Sequence, residues 1–526
     1  MNKYKYLLWV AIILIATLSC RKTLELAPED NFGGRSFWQN ESQVSNFMVG
    51  LHKQFRDNQF MFLRLGEMRG GGFSNIDRQN TSLNELPIIE QRIEENSSGV
   101  GNWAGFYNPI LQLNLFIQKV EEADFLGEPK KNYLLGQAHS MRAYYYFHLL
   151  RTYGGVPIVL EPEVSNGNTD QVSLRKPRAN EEEVLAAIKN DVNKAISLFS
   201  TAASPADKSQ WSPNAAFMLK GEVFLWSAKV YDNAGDLVEA KAALNSVTGT
   251  SLLPNFANVF AYNNKNNNEI IFAIRYRVGE AEMGGVAAFT YSTFNFNGQH
   301  YKDSLASAGT GNFLVDPLKL SEVNSQQVIQ RYGYTFELFQ SYNIADTRRD
   351  ATFYDYYKVN TAVTPHVPTI RNTALVKFLG VIESNKRYFS DDWPVYREAD
   401  RLLMLAEIVN AEGGDPSMYI QQIRDRAFGG PGKDPAPFVS GAKDANELAI
   451  FAERSKEFVS EGKRWYDLRR MEYGNEPLVF ISPNHPYGVL DKGTQQYKIL
   501  WPIPPSIWTN DPLVDQTPGY VTAKPR

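Results

Sequence analysis

Residue types that perform chemistry are sparse and scattered along these 526 residues. Six histidines stand at positions 52, 139, 148, 300, 366 and 485. None forms an HExxH motif or an i, i+4 pair that would aim two imidazoles at one zinc ion. His139 and His148 lie nine residues apart in one helical stretch, which turns them to different faces and makes them packing residues. No Gly-x-Ser-x-Gly nucleophile elbow occurs, and Gly70-Gly71-Gly72 lacks the Gly-Lys-Ser/Thr of a phosphate-binding loop. Asp391-Asp392 supplies two carboxylates, the groups that cleave a glycoside. Neighbours in sequence seldom face one site, and with Trp393-Pro394 following they read as acidic residues at a helix start, offsetting its dipole. The expectation is a non-enzyme with no catalytic residue, no cofactor and no metal ligand. A lipidated glycoside hydrolase is the enzymatic alternative, because the separation of distant carboxylates is not legible in sequence.

Binding chemistry is better represented. Aromatic residues make up 13% of the chain, with 27 Tyr, 31 Phe and 9 Trp. A neutral hydroxylated ligand such as a sugar needs flat rings for its C–H faces and nearby Asp, Asn or Arg for its hydroxyls. Two segments combine those types on expected loops. One runs from Arg69 through Phe73, Asn75, Asp77, Arg78 and Asn80 to Trp103, Tyr107 and Asn108. The other is 289–301, where Phe289, Tyr291, Phe294, Phe296 and Tyr301 are interleaved with Asn295, Asn297 and His300. The bland alternative is that these rings form the segment's own small core. The candidate ligand-binding residues are Phe73, Asn75, Asp77, Arg78, Trp103, Asn108, Tyr291, Phe294, Phe296 and Tyr301.

Helical pairs must hold these loops. Apolar residues recur at helical spacing over 37–55 and 107–125, and Pro129 opens a further helix that Gly154-Gly-Val-Pro157 stops. Asn180 with Glu183 makes a capping start for a helix over 184–199. Ser212-Pro213 starts another over 214–231, and Asn233-Ala-Gly-Asp236 turns the chain into 237–247. The spacing predicts helices over 396–411 and 417–427 and a final one over 445–471. Between them, 250–392 lacks sustained helical periodicity and holds β-prone runs such as Ile270-Ile-Phe-Ala-Ile274. The fold class is therefore mainly α: a tetratricopeptide-like scaffold of helical pairs with a long irregular, ligand-facing insert containing short β-strands. The pairs cover about 37–249 and 393–472, the insert about 250–392, and a Pro-rich tail 473–526.

The N-terminus is an address. Residues 1–6 carry Lys3 and Lys5, residues 7–18 carry no charge, and Ser19-Cys20 follows. That is the order of a bacterial export signal. The apolar run falls short of the roughly 20 residues a transmembrane helix needs. A thiol at this boundary reads as a lipidation site, with 1–19 the lipoprotein signal peptide and 20–36 a lipidated tether. Thr17 stands where such leaders carry Leu, and the alternative is an ordinary secreted protein with a stray thiol. Losing Lys3 and Lys5 moves the formal charge from −4 to −6. Cys20 is the sole cysteine, so no internal disulfide or cysteine-based zinc site is available. The slight acidity argues against nucleic acid, which would want a basic face.

Several stretches, taken in order, resemble the SusD/RagB family of outer-membrane nutrient-binding lipoproteins. They are Cys20 with Leu24-Glu-Leu-Ala-Pro28, then Trp103, Tyr107, Ile110 and Asn114, then Arg142-Ala-Tyr-Tyr-Tyr-Phe147 with Tyr153-Gly-Gly-Val-Pro157. Asn214-Ala-Ala216 with Lys220-Gly221, Asp392-Trp-Pro-Val-Tyr-Arg397 and Leu403-Met-Leu-Ala-Glu407 follow. Glu453-Arg454 with Glu457-Phe458, Glu461-Gly-Lys-Arg-Trp-Tyr-Asp-Leu468 and Gln516-Thr-Pro-Gly-Tyr520 complete the set, with Thr517 where the ending commonly has Asn. The resemblance implies capture of oligosaccharide or polysaccharide at the outer membrane, facing the cell exterior. It also implies delivery, as a lid, to a SusC-like TonB-dependent transporter. Some members bind peptides, which leaves a lid for peptides or another nutrient as the alternative. Starch-binding members touch ligand with a Trp and an Asn five residues later, a spacing that Trp103 and Asn108 share. The motif 461–470 is implied to be scaffold, with Arg464 and Asp467 as structural partners.

Overall fold

The computed structural model describes residues 37–74, 85–200, 205, 207–284, 300–301, 333–360, 367–481 and 490–520. The longer N-terminal helices are α1 (Glu41–Asp57), α2 (Gln59–Glu67), α3 (Ala104–Glu121), α4 (Glu128–Tyr153), α5 (Glu181–Phe199), α6 (Pro213–Val230) and α7 (Asp236–Ser246). Local signals set their starts. Asn180 and Glu183 form the reciprocal capping box at α5. Ser212 accepts the Ala215 N–H at α6, with Pro213 in the first helical position.

The core is centred on α4, buried without a break from Leu134 to Tyr153. A helix covered on every face is an axis rather than a surface element, and α3 and α5 pack against it. Four of its polar residues are buried against partners. His139 Nδ1 lies 2.7 Å from Asp191, Arg142 donates to the same carboxylate at 2.8 Å, and Arg151 donates to Glu222 at 2.7 Å. His148 Nδ1 lies 3.1 Å from the Tyr466 hydroxyl. Both histidines are packing residues on separate partners, as their spacing implies.

The middle of the chain contributes short antiparallel strands: β1 (Phe73–Ser74), β2 (Ile270–Ile274), β3 (His300–Tyr301), β4 (Gly333–Tyr334), β5 (Phe353–Asn360), β6 (Val367–Leu375), β7 (Val381–Glu383), β8 (Lys386–Tyr388) and β9 (Trp393–Arg397). β1 pairs with β4, β2 with β9, and β7 with β8, while β3, β5 and β6 form a three-stranded sheet in that order. The C-terminal helices are α8 (Glu398–Ala411), α9 (Ser417–Ala427), α10 (Lys443–Glu457) and α11 (Arg464–Arg470). The protein is thus mostly helical, with few and short strands. No helix among the described residues is long and apolar enough to cross a membrane.

Two expectations change. Asp391-Asp392 do not start a helix; they precede β9, and α8 begins only at Glu398. Asp392 is held by Lys265 and Arg275, each at 2.8 Å, so tertiary ion pairs rather than a helix dipole account for it. The helix expected over 445–471 is two helices, α10 and α11. Between them Ser460 and Gly462 take positive φ of 64° and 70°, which no helix accommodates. The turn exists because Gly462 lies against Gly66 of α2, where a Cβ would sit 1.9 Å from the Gly462 carbonyl oxygen.

Candidate ligand-binding site

The start of α3 carries Trp103, Tyr107 and Asn108 of the first group of candidate residues. Trp103 is its N-cap, and the Asn102 side chain accepts the Ala104 N–H at 3.0 Å. The Trp103 ring meets Tyr107 and Tyr153 edge-on, with centroids 5.7 and 5.6 Å apart. Tyr107 donates its hydroxyl to the Pro157 carbonyl at 2.5 Å, and Tyr153 donates to the Gly101 carbonyl at 3.4 Å. Burial raises both phenols above their ordinary range, so both stay neutral donors. Arg178 donates to the Tyr153 and Gly155 carbonyls at 2.6 Å each and fixes the chain leaving α4. Asn114 reaches the Val159 carbonyl at 2.9 Å. A rigid aromatic corner results. Its outer surface is polar, with Gly101, Asn102, Gly105 and Asn108 exposed, while Trp103 itself is only 8% exposed.

Arg64 of α2 joins two loops at this corner. It donates to the Gly99 carbonyl at 2.5 Å and pairs with Glu85 at 3.0 Å. The chain that resumes at Glu85 therefore comes back beside the residues leading to Trp103. Asn75, Asp77 and Arg78 fall in 75–84, outside the described residues, as do Tyr291, Phe294 and Phe296. Tyr301 is placed by its backbone alone, opposite Tyr357 between β3 and β5. Phe73 lies elsewhere than a ligand-facing loop would put it: it is fully buried, its ring 4.4 Å from that of Tyr334. Arg69 is buried too, between the rings of Trp465 and Trp501 at 4.0 and 4.4 Å. Its Nε donates to Gln91 at 2.8 Å, and burial pushes its pKa down to about 9. The glycine-rich turn after it is core rather than loop.

Sequence reading does not find Arg64, Tyr153 or Arg178 as parts of this corner. The Tyr153-Gly-Gly-Val-Pro157 motif was the available signal for one of them. The two arginines carry none, because their partners are main-chain carbonyls and a carboxylate distant in sequence.

The corner can offer ring edges, neutral hydrogen-bonding groups and a fixed backbone. Catalytic and metal-binding arrangements are another matter. No group of three or more His, Cys, Asp or Glu residues that could hold a metal ion occurs among the described residues. Several buried carboxylates of the C-terminal half are engaged by cations. Arg397 binds Glu269, Glu457 and Glu461 at 2.8, 2.6 and 2.8 Å, and Arg348 binds Asp346 and Glu453 at 2.7 and 2.9 Å. Asp467 accepts from Arg454 and Arg470, while Arg464 donates to the Gly70 carbonyl, so the motif 461–470 is built into the scaffold.

Residues 268–520 match the model of the SusD family, and residues 24–225 match a SusD-like family described as starch-binding and associating with the outer membrane. A SusD superfamily protein of Bacteroides fragilis is 34% identical with a TM-score of 0.82, over 92% of this chain and 100% of that one. The chain belongs to the SusD family. NanU of B. fragilis is similar at 31% identity and a TM-score of 0.80, covering 94% of this chain and all of that one. A SusD-like protein of Formosa agariphila, P38, is 26% identical over 99% of this chain and its own full length. This SusD-family chain matches these relatives over 92% or more of its length.

Proposed function

We propose that this SusD-family protein is a lipoprotein anchored through Cys20 to the outer membrane, where it captures oligosaccharide or polysaccharide at the cell exterior. It delivers the glycan as a lid to a SusC-like TonB-dependent transporter and catalyses no reaction itself. Residues 1–19 serve as the export signal, 20–36 as the tether, and 37–526 as the binding body. The helical pairs are the scaffold, and the 250–392 segment faces ligand together with the loops around Trp103. The observation that carries this reading is the match of residues 24–225 to starch-binding, outer-membrane-associated proteins. That stretch includes the aromatic corner, whose exposed face is amide and backbone with a tryptophan edge behind it. Such a face suits a neutral polyol better than an ion. Asn102, Trp103 and Asn108 are the contacts proposed here, together with Asn75, Asp77, Arg78, Tyr291, Phe294, Phe296 and Tyr301 of the two aromatic-rich segments.

Calorimetric titration against soluble glucans, mannans and galactans and a peptide mixture tests it. The expected result is saturable binding of at least one glycan, with the reducing-end count constant over the incubation. Binding of peptides without any glycan, or release of new reducing ends, would overturn the reading.

A further inference from the structure

A cavity of about 450 Å³ opens beside α1, walled by that helix, the first turns of α4, the 207–210 turn and β2 with the turn that follows it. It shares no lining residue with the aromatic corner, and its volume falls in the range of pockets that hold small molecules. Five cations line it, Lys53, Arg56, Lys130, Arg275 and Arg277, against two carboxylates, Asp207 and Glu280.

Two of the five are committed to the wall. Arg56 donates to Glu280 at 2.6 Å and to the Arg275 carbonyl at 3.2 Å, and Arg275 donates to Asp392 at 2.8 Å. The other three present accessible charge. Lys53 and Lys130 have 64% and 39% of their side chains exposed, and they pair at 2.6 and 3.4 Å with Asp57 and Glu41, carboxylates outside the lining. Exposed pairs of that kind contribute little in water and give way to a better partner. Arg277 is exposed too, with its main chain pinned by the bridge to Ala281. Its guanidinium has no hydrogen bond or ion pair among the described residues, and its charge acts on both Asp207 and Glu280.

The rest of the wall decides what carries the anion. Val49 is 67% exposed, and Met48, Phe272 and Ile274 continue its apolar surface inward. Gln210 accepts the Tyr133 hydroxyl at 3.2 Å, and its amide N–H groups have no acceptor among the described residues. His52 lies 2.9 Å from Gln137, and burial lowers its pKa, so it faces a ligand as a neutral group. A neutral sugar would leave Arg277 unanswered, and a bare ion would leave the apolar wall and the amides unused. We propose that this cavity is a subsite for an acidic sugar unit. Its carboxylate or sulfate ester is held by Arg277 in the field of Lys53 and Lys130, and its ring lies on the apolar wall. The sugar part rests on the glycan-binding reading above; the anion part does not.

Calorimetric titration and hydrogen–deuterium exchange on the full chain test this. The probes are sodium glucuronate, sodium galacturonate and glucose 6-sulfate, with glucose, acetate and inorganic sulfate as controls. At least one acidic sugar is expected to bind roughly tenfold or more tightly than glucose, the effect of one charge-assisted hydrogen bond. It should also slow exchange in peptides covering 45–56 and 272–280, and the uronates and the sulfate ester separate the two anionic groups. Arg277→Gln should weaken that binding roughly tenfold at an unchanged melting temperature. Val49→Glu sets a carboxylate at the mouth one turn before Lys53, a spacing that supports the helix, and should weaken it as much. Asn108→Ala should leave it intact. Equal affinity for glucose and every acidic sugar, equal protection by acetate or sulfate, or full affinity in Arg277→Gln would each overturn the proposal. Protection confined to 99–108 would sink this subsite and leave the glycan-binding reading standing.

Discussion

Trp103 and Asn108 share a helix start yet behave as different kinds of residue. The Trp103 ring is covered by Tyr107 and Tyr153 and is 8% exposed, so truncation opens a void as well as removing an edge from the proposed ligand face. Trp103→Ala is expected to cost about 3 kcal/mol of stability and to weaken glycan binding at the same time. Asn108 is exposed, so Asn108→Ala should stay within about 0.5 kcal/mol of the parent while still lowering glycan affinity. Thermal melts with titrations on both variants check the pair. An unchanged melting temperature in Trp103→Ala would show that the ring is not packed as described. The sequence puts Trp103 on an expected loop ahead of a helix over 107–125, and the structure starts that helix three residues earlier, at Ala104. The sequence does not tell that Trp103 lies under Tyr153, or that Arg69 lies between Trp465 and Trp501. Those covers come from residues about 50 and 400 positions away, and composition carries no record of such distances.

Elements follow the same division between local and distant causes. The capping box at Asn180 and the Ser212-Pro213 start are local, and the helices they open are legible almost to the residue. The split of 445–471 into α10 and α11 is only partly local. Gly462 is the local break signal in Glu457 through Lys463, and the place of the turn is fixed by α2 packing against it. Glu67 of α2 accepts the Ser460 and Gly462 N–H groups at 2.6 and 2.8 Å, satisfying the donors the broken helix exposes. Gly66 completes the fit, since any Cβ there would collide with the Gly462 carbonyl. Gly66→Ala is therefore expected to destabilise by about 2–4 kcal/mol, more than a helix propensity change of about 1 kcal/mol in the opposite direction could offset. Urea unfolding measures this directly. A Gly66→Ala variant as stable as the parent, or more so, would refute the close approach of α2 to the turn. The strands divide likewise: Ile270–Ile274 is a local β-prone run, whereas β9 takes in Tyr396 and Arg397, which helical spacing assigns to the next helix, because the strand pairs with β2 as far as Arg397.

For the whole molecule, whose sole cysteine allows no internal disulfide, buried ion pairs tie distant elements together. Arg397, Arg426 and Arg348 hold the Glu457 carboxyl well below its ordinary range, and Arg470 and Arg454 do the same for Glu407. Burial works against the ionised form of Glu222, yet Arg151, Lys463 and the Tyr396 hydroxyl outweigh it and bring its pKa down to about 2. In the unfolded chain these carboxyls titrate near about 4. Their folded values are lower, so the unfolded state binds more protons as the pH falls. The stabilisation is complete above about pH 5 and is lost as the pH drops through about 2. Asp391 and Glu67 have the opposite sign, because burial raises both. Asp391 is protonated when folded and ionised when unfolded over the window from about pH 4 to about pH 7, so its contribution declines as the pH rises there. The two limbs oppose each other between about pH 4 and about pH 7, and burial lowers the pKa of His52 and His148 as well, which adds to the loss of stability below about pH 6.5. The urea midpoint should fall steeply toward about pH 2, where several carboxylates act together, and gently toward about pH 8, where Asp391 and Glu67 act. Asp391→Asn should flatten the gentle limb and leave the steep one unchanged, since its carboxyl has no part in the arginine network. A midpoint that stays level from about pH 5 to about pH 2 would mean that the arginine–carboxylate network is not what holds the helical body to the C-terminal helices.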